Sequence, residues 1–466
     1  MRPAHLAVVP ALETGSSLAG PALNLPDEFW TARPVLRHIR DAARSRFASP
    51  DAVLGAVLAR QSAYLNPGDN VDLYSTGNGA PMTVFAIILG HPGTGKGQAV
   101  RCATDLLTVP KHLTDEFRAR SLGSGEGMIE AYYGMADDIG PKGEPVKVRA
   151  QVRSNVLFEL DEGESLLKVI TGRSGTTVAQ MIRSAWSGEN LGQANASAER
   201  DRQLLAGGYS MGLVIGFQPD TIGPLFDPKQ VGGGTPHRFL FCSALDPDAP
   251  EELPPWPGPL NSTPTNSGPR PDAPPVQHVL KDRAIRAEII ATRRAVLTGH
   301  TTLSEQDTHA TQFRGRIAAH LARWDGRQDV TAEDWELAGM VMGTSAAVRD
   351  SAIAHGRSLA AREAEERAQR VVSVGVRTAD AVAENTEKRE QVAFTNCVSV
   401  LVRRVARDAN VPAVEHRQLK DASGRYRAHF SAALDYAVDR GYLVPEKAGR
   451  GNRYRVGPNA PEVLDA

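Results

Sequence analysis

Residues 84–100, VFAIILGHPGTGKGQAV, constrain the fold more than any other part of the chain. An apolar run typical of a buried strand leads into the pattern Gly90-x-x-x-x-Gly95-Lys96, and a helical pattern follows. Glycines let backbone N–H groups cradle phosphate oxygens, the lysine reaches the outer phosphates, and the helix N-terminus adds its positive dipole. The residues predicted to bind a nucleotide are Gly90, His91, Pro92, Gly93, Thr94, Gly95, Lys96, Gly97 and Gln98.

Gly97 departs from the nucleotide-binding pattern, because Ser or Thr normally stands at this position as a ligand of Mg²⁺. Thr94 or a water molecule are the candidates to replace that ligand. The alternative interpretation of the whole segment is a glycine-rich turn before a helix. The preceding strand, both glycines and the lysine together favour nucleotide binding, with ATP and Mg²⁺ as the expected cofactors.

A second apolar run, Val156–Leu160, ends in the adjacent carboxylates Asp161 and Glu162. At a strand tip beside a phosphate-binding loop, one carboxylate can hold Mg²⁺ or its water shell, and the next can polarise an attacking water. We therefore predict a metal role for Asp161 and a general-base role for Glu162. Acidic pairs at strand ends are also common without any function. The position of Asp161 and Glu162 after the glycine loop is what supports the prediction.

A third apolar run, Leu213–Phe217, ends at Gln218. In P-loop ATPases of the additional-strand type, a polar residue at this point senses the γ-phosphate and orients water. We predict this role for Gln218. The alternative is a turn residue that ends the strand before Pro219.

Arg238 follows a flexible glycine-rich loop and precedes a fourth apolar run, Phe239–Cys242. An arginine at this point could reach the nucleotide of a neighbouring subunit as an arginine finger, or the nucleotide of its own chain as a sensor. We predict a catalytic role of this kind for Arg238. Arg173 and Arg183, on helices between the second and third motifs, are the other candidates.

The C-terminal residues 391–457 predict three helices, then a strand, a basic turn and a second strand, which is the pattern of a winged helix-turn-helix. Val392, Cys397, Val400 and Leu401 would face inward on the first helix. Residues 396–457 hold 12 basic and 6 acidic side chains, which favours duplex DNA as the partner. The alternative is a winged helix used only for protein contacts. The predicted DNA contacts are Arg425 and Arg427 at the start of the third helix, and Arg450, Arg453 and Arg455 in the wing.

The whole chain is predicted to be an α/β P-loop NTPase core, a parallel sheet with flanking helices, plus a helical segment and this C-terminal winged helix-turn-helix. Eleven of the 31 prolines lie between Pro247 and Pro275, where neither a sheet nor a helix should continue. Further on, Phe313, Ile317 and Leu321 recur at helical spacing. The predicted segments are a helical lead-in at 1–69, the ATPase core at 70–246, a Pro-rich linker at 247–279, a helical lid or connector at 280–390, and the winged helix at 391–458.

Four motifs in order, GHPGTGKG, VLFELDE, VIGFQP and GTPHRFLF, resemble the P-loop (AAA+/RecA-like) helicase/ATPase domains of primase–helicase and replication proteins from phages, plasmids and integrative elements. The flanking segments LPDEFWTARPVLRHIRDAARSRF and VTAEDWELAGMVMGTSAAVRD are similar to parts of the same family. The resemblance covers roughly residues 25–370. It implies a homo-oligomeric ring, expected to be a hexamer, with nucleotide between subunits and single-stranded DNA in the channel.

Composition argues against several other classes of protein. The three cysteines form no Cys-x-x-Cys pair, so a disulfide framework or a zinc ribbon is not expected. No apolar run approaches the roughly 18 residues of a membrane span, and the N-terminus lacks a signal-peptide profile. We therefore expect a cytoplasmic protein without a membrane partner.

The formal net charge of −1 conceals an uneven distribution. Residues 396–457 carry +6, so the rest of the chain holds 53 − 12 = 41 basic and 54 − 6 = 48 acidic side chains, or −7. A basic module is thus attached to an acidic body, which fits a DNA-binding domain joined to an enzyme. Basic residues within 142–153 and 197–205 are further candidates for DNA loops, or for solvated hairpins.

Together these patterns predict a DNA-dependent ATPase that acts as a helicase or replication initiator of a mobile genetic element. The first alternative is a nucleotide-regulated DNA-binding protein, such as a regulator or partition factor, and Gly97 keeps it open. The second alternative is a scaffold ring that binds ATP only to assemble.

Overall fold

The computed structural model describes residues 23–109, 117–171, 175–193, 202–260, 274–300, 309–407, 413–449 and 451–461. The chain divides into two compact units, Met1–Ala360 and Ala361–Ala466. The helices are α1 Asp27–Thr31, α2 Pro34–Ser45, α3 Pro50–Tyr64, α4 Lys96–Leu106, α5 Gly125–Glu130, α6 Gly163–Thr171, α7 Gly175–Ser187, α8 Pro228–Gly232, α9 Arg283–Leu297, α10 Ala310–Trp324, α11 Ala332–Ala406, α12 His416–Ala422 and α13 Phe430–Asp439. The strands are β1 Asn70–Asp72, β2 Ala80–Pro81, β3 Phe85–Leu89, β4 Tyr133–Ile139, β5 Pro145–Gln151, β6 Asn155–Leu160, β7 Leu191–Gln193, β8 Arg202–Leu204, β9 Ser210–Phe217, β10 Phe239–Ser243, β11 Gln277–Leu280, β12 Asp329–Val330, β13 Val414–Glu415, β14 Leu443–Ala448 and β15 Gly451–Val456.

The central sheet of the first unit is parallel and has the strand order β10-β3-β9-β6. These are the four strands that the apolar runs predict, so an α/β core with a parallel sheet is confirmed. The strands are buried along almost their whole length, which explains why each is a continuous apolar run rather than an alternating one. Leu89 is in register with Phe217 and with Ser243, so the carboxyl ends of neighbouring strands share one edge.

Helix α3 lies against the central sheet and is buried at every position. Its sequence is apolar on nearly all sides, as expected for a helix enclosed by other elements. The hydroxyl of Ser62 lies 3.1 Å from the carbonyl oxygen of Met211 on β9. At Gly212 the two elements approach so closely that a Cβ would lie 2.0 Å from the carbonyl oxygen of Ala59. The sequence prediction assigned residues 50–64 to the helical lead-in, whereas in the structure they pack as part of the core.

A second sheet, with the order β12-β11-β1-β2, lies outside the sequence prediction. Strand β11 begins at Gln277, after the proline-rich stretch from Pro247 to Pro275 but within the bounds predicted for the linker, 247–279. The prolines stop at Pro275, and the next residues have N–H groups free to pair. Strand β11 accordingly runs parallel to β1, and His278 is buried with its Nδ1 2.9 Å from the carbonyl oxygen of Gln328.

Helices α9 and α10 and the first part of α11 follow, as predicted for residues 280–370. Phe313, Ile317 and Leu321 of α10 are all buried, so the apolar stripe at helical spacing is confirmed. Residues 361–375 and 377–392 of α11 are exposed, as suits their Ala-, Glu- and Arg-rich sequence. None of the described helices combines the length and the apolar character needed to cross a bilayer.

The second unit has an apolar core of its own, which includes Cys397, Leu401, Phe430 and Leu434. Its strands form an antiparallel sheet with the order β13-β15-β14. The prediction that Val392 faces inward is wrong, because its side chain is 59% exposed. Val392 lies more than one helical turn before Cys397, where the buried stripe of this unit begins.

Candidate functional site

A glycine loop, Gly90–Gly95, connects β3 to α4 at the carboxyl edge of the central sheet. Gly93 and Gly95 have φ of +83° and +84°, in the left-handed region that residues with a Cβ rarely adopt. Gly90 is confined by its neighbours, since a Cβ there would lie 2.4 Å from Thr94 Oγ1. The backbone path of the loop therefore requires the glycines of the sequence pattern.

Lys96 is the first residue of α4, and its ammonium group lies against the glycine loop. Its Nζ donates to the carbonyl oxygens of Gly90 at 2.7 Å and His91 at 3.0 Å. Burial lowers the pKa of Lys96. Thr94 Oγ1 also donates to the carbonyl oxygen of His91, at 2.8 Å. A cation held by weak neutral acceptors at a loop of this kind is suited to exchange them for an anion.

The N-terminus of α4 offers further donors beside Lys96. This helix has 11 residues, and its N-cap is Gly95, which has no side chain to cap it. The first N–H groups of a helix lack intrahelical acceptors, and the helix dipole makes this end positive. The side chain of Gln98 does not cap the helix either, because its Oε1 accepts from Arg101 Nη2 at 2.7 Å. The loop and the helix start thus form a surface suited to an anion.

Asp161 and Glu162 follow β6 and are exposed at the same edge of the sheet. Gly216 of β9 brings this strand end close to the loop lysine. A Cβ at Gly216 would lie 2.6 Å from the carbonyl oxygen of Asp161 and 3.6 Å from Cδ of Lys96. The backbone of Asp161 and the aliphatic stem of Lys96 therefore lie against the same glycine.

Gln218 directly follows β9 and is half-buried. Its backbone carbonyl accepts from the N–H groups of Thr221 and Ile222, both at 3.2 Å, so the chain turns here. The preceding residue, Phe217, accepts from the N–H of Gly90 at 3.0 Å. Gln218 therefore lies beside the start of the glycine loop, between the loop and the carboxylates.

Arg238 lies at the amino-terminal ends of the strands, opposite the carboxyl edge that carries the glycine loop. It precedes β10, whose five residues separate it from the carboxyl edge by roughly 16 Å. Its Nη1 donates to the carbonyl oxygen of Gly234 at 2.7 Å, and its guanidinium lies 5.5 Å from the ring centroid of Trp186. Burial, and then the charge of Arg183, lower the pKa of Arg238 to about 10. This position does not fit a sensor of the chain's own nucleotide, whereas an arginine finger to a neighbouring subunit stays a prediction.

The two other candidates for this arginine role do not replace Arg238. Arg173 lies outside the described residues. Arg183, on α7, donates from Nη1 to Thr235 Oγ1 at 2.9 Å, and burial lowers its pKa. Arg183 and Arg238 thus share the amino-terminal side of β10, away from the glycine loop.

Sequence reasoning missed an apolar cavity of about 50 Å³ beside the glycine loop. Leu23, Leu245, Val348 and Ala352 form most of its apolar wall. Val348 is visible in the sequence as part of the apolar face of α11, but the pattern does not say what this face covers. Leu23 and Leu245 lie outside regular elements and carry no pattern at all.

His355 closes the polar side of this cavity. Its Nε2 lies 2.6 Å from Asp220 Oδ1, and its ring centroid lies 6.5 Å from that of His91. Helix α11 therefore contacts both the glycine loop and the turn after β9. A single histidine in a helical stretch is usually a surface residue, so no signal in the sequence identifies His355.

Asp51 anchors the chain segment that lines the cavity. Its buried carboxylate accepts from the N–H of Leu25 at 2.9 Å, two residues after the cavity residue Leu23. Burial raises the pKa of Asp51 from 3.8 to about 7. The protonation of Asp51 is therefore coupled to the packing of the segment that includes Leu23 and Leu25.

Asp51→Asn should remove a pH dependence of stability. Because the pKa is higher in the folded state, the stabilisation by the proton is complete below pH 3.8 and is lost as the pH rises through about 7. We expect the wild type to lose up to about 4 kcal/mol of unfolding free energy relative to Asp51→Asn across this window. Urea unfolding of both proteins at several pH values between these limits measures the difference. A difference in unfolding free energy between the two proteins that stays constant with pH would contradict the raised pKa of Asp51.

The predicted third helix of the second unit begins later than expected. Gly424–His429 form a 3₁₀-helix, and α13 starts only at Phe430, because Tyr426 leaves helical geometry at φ −97° and ψ 16°. Arg425 and Arg427, expected at the start of the helix, therefore lie in the turn before it. Both are exposed.

The predicted wing corresponds to the antiparallel pair β14–β15. Arg453 pairs with Glu415 at 3.2 Å, and Arg455 pairs with Glu446 at 2.8 Å. All four side chains are exposed, and ion pairs of this kind contribute little, so a phosphate could replace either carboxylate. Arg450 lies outside the described residues.

The structure thus brings Lys96, Asp161, Glu162 and Gln218 together at one edge of the sheet and leaves Arg238 at the other. The exposed arginines of the second unit form a separate candidate surface. No protein-family model matches the chain, and no match was found among curated proteins.

Proposed function

We propose that the chain is a P-loop ATPase that couples ATP hydrolysis to translocation on DNA, as a helicase or replication initiator of a mobile genetic element. The observation that carries this proposal is the convergence of Lys96, Asp161, Glu162 and Gln218 around a glycine loop at the carboxyl edge of a parallel sheet. Open parallel α/β sheets bind their ligands at this edge.

The strand order supports an ATPase of the additional-strand type. Strand β3, which leads into the loop, is not adjacent to β6, which leads into the carboxylates, because β9 lies between them. Gln218, at the end of this inserted strand, is placed to orient a water between phosphate and carboxylate. Outside β6, Arg120 forms a parallel bridge with Phe158, which marks a fifth position in the sheet.

In the proposed reaction, the N–H groups of the loop and of α4 bind the β- and γ-phosphates. Lys96 exchanges its carbonyl partners for phosphate oxygens. Glu162 polarises the attacking water, and Gln218 orients it. Arg238 of the adjacent subunit stabilises the charge that develops on the γ-phosphate.

Asp161 is the residue that would hold Mg²⁺, directly or through water. Magnesium at nucleotide sites takes most of its ligands from phosphates and water, so one carboxylate beside Lys96 fits the ion. Accordingly, no group of three or more acidic, His or Cys side chains suited to a metal occurs among the described residues. When bound, Mg²⁺ neutralises charge on the phosphates.

The proposed assembly is a homo-oligomeric ring, expected to be a hexamer, with single-stranded DNA in its channel. The second unit would act as a winged helix that binds duplex DNA. Its support is the order of α12, α13 and the β14–β15 pair, together with the exposed Arg425, Arg427, Arg453 and Arg455.

Glu162→Gln tests the function. It should lower ATP turnover and strand unwinding by about 100- to 1,000-fold, because the water loses its base, while ATP binding persists. Glu164→Gln, two residues further in the first turn of α6, is the matched control and should retain activity. Undiminished unwinding by Glu162→Gln would overturn the assignment.

One observation favours the alternative of a nucleotide-regulated DNA-binding protein with slow hydrolysis. Gly97 supplies no hydroxyl to the metal, and the hydroxyl of Thr94 donates to the carbonyl oxygen of His91. Turnover with and without single-stranded DNA separates the two functions, since a helicase is stimulated by DNA. A scaffold ring would change size with ATP but show no turnover.

A further inference from the structure

A cleft of about 600 Å³ lies in the first unit beside β6. Its walls come from residues 118–121 and from α5, including Glu130. The backbone of Arg120 attaches the first wall to the sheet, because its N–H donates to the carbonyl oxygen of Leu157 at 3.0 Å. This wall of the cleft is therefore held by main-chain hydrogen bonds to the central sheet.

The charge of this cleft is basic. Arg118 and Arg120 line it, and no described carboxylate pairs with either of them or with the nearby Arg153. The Nε of Arg120 is buried without a hydrogen-bond partner. Burial, and then the charge of Arg153, lower the pKa of Arg120. The carboxylate of Glu130, which also lines the cleft, is paired with Arg149.

The cleft is separate from the glycine loop. Residues 118–121 lie outside β6, and β9 and β6 stand between them and β3. Three strand spacings correspond to roughly 14 Å, so the arginines of the cleft lie to the side of the phosphates proposed at Lys96. An anion bound at the glycine loop would therefore not pair with them.

We propose that this cleft binds the phosphate backbone of single-stranded DNA, an inference that rests on the proposed function. Guanidinium groups form paired hydrogen bonds with phosphate oxygens, and the cleft presents two of them, those of Arg118 and Arg120. A positively charged groove that follows the phosphate backbone is a regular part of a single-strand site.

Arg118→Glu and Arg120→Gln test the cleft in the full-length chain. Arg118 is exposed, so its replacement should not disturb the fold, and Arg120→Gln keeps part of the side-chain stem. The probe is a fluorescent oligothymidylate longer than about 16 nucleotides, titrated by anisotropy at several salt concentrations. We expect about tenfold weaker binding for Arg118→Glu and several-fold for Arg120→Gln. For Arg120→Gln the slope of log K against log salt should also fall by about 0.7. Arg293→Glu, an exposed charge reversal on α9, is the matched control and should bind as the wild type does.

The possible failures can be distinguished. Wild-type affinity and salt slope in both variants would overturn the cleft proposal and leave the proposed function standing. No binding of oligothymidylate by the intact chain would overturn the function and the cleft together. Release of the oligonucleotide by millimolar inorganic phosphate would assign the cleft to a small anion instead. An equal loss for a duplex hairpin would overturn the preference for single strands.

Discussion

Lys96→Ala should lower ATP turnover by about 100- to 1,000-fold and weaken nucleotide binding. The ammonium group donates to two backbone carbonyls, Gly90 and His91, and so lies directly at the surface where the phosphates are proposed to bind. Once it has exchanged these carbonyls for phosphate oxygens, the ammonium group stabilises charge that develops in the transition state. Phosphate release under saturating ATP and titration with a fluorescent ATP analogue measure the two effects.

Lys168→Ala is the matched control for Lys96→Ala. Lys168 is an exposed lysine near the end of α6, and its removal changes the charge by the same amount. The control should keep wild-type turnover. Binding of the ATP analogue by Lys96→Ala with wild-type affinity would exclude the glycine loop as the phosphate site.

Gly212→Ala should destabilise the first unit by about 3 kcal/mol, the largest stability effect we expect from a single methyl group. A Cβ at this position would lie 2.0 Å from the carbonyl oxygen of Ala59 and 3.0 Å from Cδ1 of Leu157. Strand β9 and helix α3 would have to separate, since neither backbone can yield alone in a packed core. Thermal and urea unfolding measure the loss.

Gly343→Ala is the matched control for Gly212→Ala. Gly343 lies in α11, and a Cβ there would meet no atom within 4 Å. The same added methyl should therefore stabilise the chain by about 0.5–1 kcal/mol, because alanine loses less backbone entropy than glycine in a helix. Equal changes in unfolding free energy at the two positions would show that the structure around Gly212 has room for a methyl group.

The parallel sheet could be predicted because its strands are buried on both faces. Such strands are continuous apolar runs, which mark their own positions in the sequence. Phe85–Leu89 and Ser210–Phe217 illustrate this, since their observed ends lie within a few residues of the predicted ones. Asp161 and Gln218 follow such runs directly, so parallel pairing alone brings them to the edge where the loop begins.

Other parts of the site could not be predicted, because they depend on contacts between distant segments. The cavity joins Leu23, Leu245 and Val348, which are separated by more than 100 residues at each step. Strand β11 pairs with β1 across a similar distance, and a Pro-rich sequence conceals it. The sequence leaves open whether Arg238 would reach a nucleotide bound by its own chain or one bound by a neighbouring subunit. The position of Arg238 before β10 decides against the first.

The sequence by itself determined the α/β core, the path of the glycine loop and which polar residues follow the strands. These features follow from local rules: apolar periodicity, the conformational freedom of glycine, and the edge shared by parallel strands. Only the tertiary structure decided which residues form the cavity beside the glycine loop and that Arg238 lies about 16 Å from the carboxyl edge. It also decided that Arg118 and Arg120 line a cleft in which no carboxylate of the described residues pairs with them. Burial and charge pairing between distant residues depend on packing, which no local pattern specifies.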